Sequence, residues 1–147
     1  MPTAKLLHPD VPEPATWLGL AGVLPFAAGA LAALRPDPVG AFAATALLAY
    51  GAVILSFLGG IHWGLALECA HLRPAQLGLG VLPSLAGWTA LLVGGRAGIA
   101  LLMAGFVGVL VLDLRLTRDG VAPPWFASLR ALLTTAVLLC HAVGLMA

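Results

Sequence analysis

Five apolar stretches, at 16–34, 41–67, 77–93, 97–116 and 126–146, are each close to the length of a membrane-crossing helix. A helix rising 1.5 Å per residue needs about 20 apolar residues to cross a hydrocarbon core of about 30 Å. Lipid offers no partner for open backbone groups, so each stretch is expected to be helical. Charged residues make up only 9% of the 147 positions, against roughly 25% in a soluble domain. Such a chain cannot clothe a water-facing surface. The expected fold is therefore all-α: a polytopic membrane protein built as a compact bundle of five transmembrane helices. The second stretch exceeds what a bilayer needs and should tilt or protrude. The third is the shortest.

The breaks between stretches are sharp. "RPDP" (Arg35 to Pro38) stops the first helix, because proline lacks an N–H and restricts the residue before it. "GGRAG" (Gly94 to Gly98) reads as a tight turn, and "RDGVAPPWF" (Arg118 to Phe126) is the longest connection. Trp17 and Trp125, near the starts of the first and fifth helices, are expected interface anchors. Short connections imply antiparallel neighbours. Residues 1–15 then form an N-terminal segment and 16–147 the membrane domain. Before the first apolar run there is one lysine, Lys5, against Asp10 and Glu13, which fits neither a signal peptide nor a mitochondrial presequence. An Ala-, Gly- and Arg-rich chain with a single lysine reads as a bacterial inner-membrane protein.

Basic residues set the expected orientation. Lys5, Arg73, Arg115, Arg118 and Arg130 fall on the side of the N-terminus, and Arg35 and Arg96 on the other. The imbalance places the N-terminus in the cytoplasm and the C-terminus in the periplasm. "LGLAGVLP" (Leu18 to Pro25) and "LGLGVLP" (Leu77 to Pro83) open the first and third helices with a shared pattern. Each puts a proline, Pro25 or Pro83, where it should kink a span. A net charge of +1 without a basic run leaves nothing to attract nucleic acid.

The second stretch carries the most informative block, "SFLGGIHWG" (Ser56 to Gly64). At 100° per residue, Ala52, Ser56, Gly60 and Gly64 line one face at i, i+4 spacing, a row of small residues that lets another backbone approach. His62 points about 140° away, on a face shared with Gly51, Leu55, Leu58, Gly59 and Ala66. That makes the second helix central, packed on both sides. Ionisable residues within a span are expensive and find partners. His62, Asp113 and Arg130 each lie roughly one to one and a half turns from the same end of their helices. An Asp113–Arg130 ion pair with His62 hydrogen-bonded beside it is the expected arrangement, since pairing offsets desolvation.

Catalytic and metal readings find little support. Cys69 and Cys140 fall near opposite faces and lack a CxxC or CxxH partner. No HExxH, GxSxG or P-loop pattern occurs, and Ser56 has no base beside it. Thr134 and Thr135 are expected to bond back to their own helix. His62 and His141 should sit about 20 Å apart along the bundle axis, too far to share one haem. His141 reads as interfacial, and His8 belongs to the N-terminal segment. No catalytic residue, metal or cofactor is expected.

"YGAVILSFLGGIHWG" (Tyr50 to Gly64) resembles a known family: the small five-helix bacterial membrane proteins of unknown function related to mitochondrial transmembrane protein 69. "WLGLAGVLPF" (Trp17 to Phe26), Asp113 and "PPWFASLRALLT" (Pro123 to Thr134) fit the same resemblance, which covers nearly the whole chain. The family pattern at the last site has proline, a spacer, tryptophan and tyrosine, then leucine-arginine. Here Trp125 follows Pro124 directly and Phe126 replaces the tyrosine, so the phenolic hydroxyl is absent. The resemblance implies a five-helix membrane domain and no particular activity.

Three functional readings follow from these residues. A non-catalytic accessory or assembly protein, packed in the bilayer against a larger inner-membrane complex or a second copy, suits the short loops and abundant small residues. A small transporter or proton-coupled carrier would use His62, Asp113 and Arg130, because an imidazole beside a carboxylate can exchange protons near neutral pH. A haem- or quinone-binding protein would rest on His62 and Trp63 alone. The half of the bundle away from the cluster has almost nothing ionisable beyond His141, which favours the accessory reading.

Overall fold

Each apolar stretch closes its own backbone hydrogen bonds, and the computed structural model, which describes residues 10–67 and 74–147, contains five α-helices among them. They are α1 (Glu13–Ala33), α2 (Pro38–Leu67), α3 (Pro74–Val93), α4 (Gly95–Arg118) and α5 (Pro124–Gly144). All five are long and apolar enough to cross a membrane. Lys5, His8, Glu68, Cys69, His71 and Arg73 lie outside the described residues. α1 and α3 continue through Pro25 and Pro83, which leave the carbonyls of Ala21 and Leu79 without their helical N–H partners.

The breaks are made by the residues that mark them in the sequence. Between α1 and α2, Asp37 accepts from Arg35 Nη2 at 2.7 Å and, through its other oxygen, from the Gly40 N–H at 3.1 Å. The Arg35 guanidinium, then the Gly40 amide, hold the Asp37 carboxyl below its ordinary range. Between α3 and α4, Gly94 and Gly95 both take positive φ, 67° and 53°, a conformation that side chains resist. After α4, the amides of Val121 and Ala122 both turn back to the Leu116 carbonyl.

α2 is the hub, in contact with all four other helices; α1 packs mainly on α2 and α5 and reaches α4 through the edge-on Phe26–Phe106 ring pair. Leu47, Leu55, Phe26, Leu102 and Phe106 are all but fully buried around it. The residues expected to share the face of His62 (Gly51, Leu55, Leu58, Gly59 and Ala66) are all buried. On the α3 side the backbones nearly touch. A Cβ on Gly59 would strike the Gly80 carbonyl, and one on Gly87 would lie 2.9 Å from the Ala52 carbonyl. Ser56 and Ser84 hydroxyls join the same seam at 2.8 Å.

The row Ala52, Ser56, Gly60, Gly64 does not pack as a unit. Ala52 is buried and Ser56 reaches α3, but Gly60 and Gly64 are exposed with nothing within 4 Å of an added Cβ. The reason is rotational drift. Each i+4 step overshoots a full turn by about 40°, so Gly64 lies about 120° around the helix from Ala52. A seven-residue step misses by only about 20°. Ala52, Gly59 and Ala66, all buried, are the row that stays inside.

Candidate functional site: a buried His62–Asp113–Arg130 group

Three helix ends meet where α2 finishes, α4 finishes and α5 begins. His62 is five residues before the end of α2, Asp113 five before the end of α4, and Arg130 six after the start of α5. At 1.5 Å per residue all three stand about 8 Å inside that end of the bundle. Their side chains are 6%, 2% and 9% exposed. Asp113 joins the other two: Arg130 Nε donates to Oδ2 at 2.6 Å, and His62 Nε2 lies 2.7 Å from Oδ1. The carboxylate is the acceptor in both contacts, so His62 donates from Nε2.

One carboxylate thus fastens three helices from a buried position. It also leaves each partner with unused capacity. His62 lines a cavity of about 60 Å³ with Leu65, Ala66, Gln76, Leu112 and Leu116, at the end of the bundle where α4 gives way to its loop. Arg130 spends Nε on Asp113, while its Nη2 is buried with no hydrogen-bond partner. Arg130 also lines a second, larger cleft of about 160 Å³ between α1, α2 and α5.

Two further buried polar groups lie on the same face of α5. Thr135 bonds back to the Ala131 carbonyl at 2.8 Å as expected, but Thr134 does not bond back: its Oγ1 is buried without a partner. His141 is not interfacial; it is 0% exposed, ringed by Phe26, Phe106 and Gly51. Its Nδ1–H donates to the Val137 carbonyl at 2.9 Å, and Nε2 has no partner. The signal was present in the spacing: Arg130, Thr134, Val137 and His141 recur every three or four residues, which puts them on one face.

The remaining sequence-marked residues fall in different places. Trp17 is 68% exposed, and Trp125 is half-buried with its ring edge-on to Phe126. Trp63 donates to the Leu77 carbonyl at 2.9 Å and ties α2 to α3. Pro25 is exposed and Pro83 is packed against Gly59. Cys140 is a half-buried free thiol. Among the described residues no three His, Cys, Asp or Glu side chains gather as a metal site would require.

Known proteins match this chain along nearly its full length. The family described as "protein of unknown function (DUF3429)" matches residues 11–146. Transmembrane protein 69 of Xenopus tropicalis is 41% identical over 133 residues, covering 85% of this chain and 51% of its own length. Transmembrane protein 69 of Mus musculus is 34% identical over 141 residues, covering 92% of this chain and 57% of its own. The chain therefore spans somewhat over half the length of these relatives. No solved structure matches it.

Proposed function

Since the chain belongs to the DUF3429 family, whose description assigns no activity, we propose its function from the bundle itself: a non-catalytic accessory or assembly protein that packs against a larger complex, or a second copy, in a bacterial inner membrane. The observation that carries this reading is the outward half of the α2 row. Gly60 and Gly64 are exposed, have open space where a Cβ would stand, and are flanked by the exposed rings of Phe57 and Trp63. Ala104 and Gly108 make a similar exposed pair on α4. Small residues at i, i+4 let a partner helix approach closely, and in lipid that packing is a principal source of association. The buried polar group supports the same reading, because it pins α2, α4 and α5 into one fixed platform.

The test is co-purification in mild detergent. The wild-type chain should carry a stoichiometric partner or run as an oligomer, and Gly60→Leu with Gly64→Leu should release it without loss of helicity. A wild-type chain that runs alone and monomeric would count against the proposal.

A second reading, a small proton-coupled carrier, is favoured by one observation: His62 lines a cavity near the bundle end while holding Asp113. There pH-driven flux in proteoliposomes should fall with His62→Ala, and unchanged flux would remove the idea.

A further inference from the structure

The cleft between α1, α2 and α5 has a composition that the packing does not explain. Its walls are apolar, with Leu18 and Val23 from α1, Ile54 and Phe57 from α2, and Leu133 from α5. Leu18 and Phe57 are exposed, so the cleft opens towards lipid. Yet two of the residues that line it are Arg130 and Thr134, each bearing a buried polar atom with no partner, Nη2 and Oγ1. Arg130 and Thr134 are four residues apart on α5 and so stand one turn above each other. A buried donor left unmade is unfavourable, and here two occur side by side at one cleft. In this structure neither atom meets an acceptor from the protein's own chain.

The charge balance restricts what that acceptor can be. Arg130 carries one positive charge, already matched by Asp113 at 2.6 Å. A second anion would leave excess negative charge in a low-dielectric site, which is strongly disfavoured. A neutral carbonyl oxygen takes the two donors with no such penalty. The volume sets the size of the head: about 160 Å³ is available, and a cavity of about 150 Å³ holds a benzene-sized ring. The apolar walls and lipid-facing mouth fit a hydrocarbon tail.

We propose that this cleft binds a carbonyl-bearing membrane amphiphile, its head oxygen accepting from Arg130 Nη2 and Thr134 Oγ1 and its apolar chain leaving past Leu18 and Phe57. Arg130 and Thr134 both line the cleft, and binding at Nη2 and Oγ1 requires their buried atoms to be uncovered by a change of side-chain rotamer. Two membrane sources present this chemistry, a quinone ring and the ester carbonyl of a glycerolipid.

The experiment uses the full chain in nanodiscs of ether-linked lipid, which has no carbonyls. Decylbenzoquinone is titrated in one arm and a diester phosphatidylcholine in the other, with the melting midpoint and the infrared carbonyl band as readouts. A saturable rise in midpoint with a lowered carbonyl frequency is expected in at least one arm, and the arm identifies the source. Thr134→Val removes one donor at nearly constant shape and should weaken binding about tenfold. Gly22→Leu fills the cleft, where an added Cβ meets only the Tyr50 hydroxyl at 4.0 Å, and should abolish binding while the variant's own midpoint holds. No response in either arm, or a response unchanged in both variants, would overturn the proposal. Neither result bears on whether Gly60 and Gly64 dock a partner.

Discussion

Asp113 holds the buried polar group together, because each of its oxygens accepts from a different helix. Asp113→Asn keeps the shape but leaves Arg130 charged and unmatched at 9% side-chain exposure. The expected loss is about 3–5 kcal/mol, the penalty for stranding one partner of a buried pair. His62→Ala removes one hydrogen bond and some packing, and should cost about half as much or less. Reversible unfolding in mixed detergent micelles measures both, and equal losses would contradict the assignment of Asp113 as the centre. The number of residues from each helix end puts these three side chains at one depth from the sequence alone. The same count misjudged His141, because depth along a helix does not give direction around it. The direction lay in the 130–134–137–141 spacing. Whether Thr134 bonds back to its own helix depends on a rotamer, which no spacing encodes.

At the level of the helices, the informative contrast is between adjacent glycines. A Cβ on Gly59 would strike the Gly80 carbonyl, and one on Gly60 would meet nothing. Gly59→Ala should therefore force α2 and α3 apart and cost about 1–3 kcal/mol. Gly60→Ala should be neutral or slightly stabilising, since alanine is the better helix former. Thermal denaturation of the two variants separates them, and similar midpoints would show that the α2–α3 seam is not this tight. Sequence periodicity found the buried face of α2 correctly from Gly51 to Ala66 because that face is set by one rotation angle. It carried the small-residue row too far, because an i+4 row winds around the helix. Composition gives the capacity for close approach, but only the neighbour's position decides which glycine uses it.

Across the whole molecule, polarity is concentrated at one end. Arg115, Arg118 and Arg130 stand near the end where α4 finishes and α5 begins, and Arg35 and Arg96 near the other. If the richer end faces the cytoplasm, alkaline phosphatase fused to the C-terminus should be active and green fluorescent protein there should be dark. The reverse pattern would invert the assigned orientation. The five-helix fold was legible because lipid permits few solutions to a run of apolar stretches, whereas the order of packing around α2 was not. That order also has a history within each synthesis. Asp113 leaves the ribosome 17 residues before Arg130, roughly one to three seconds at 5–20 residues per second. During that interval α4 enters lipid with its carboxyl lacking the guanidinium that will hold it, and His62, already made, is the one member of the group able to meet it. Insertion of α5 then closes the bundle as a latch does, and a nascent chain that loses Arg130 would be left with α4 seated but not fastened.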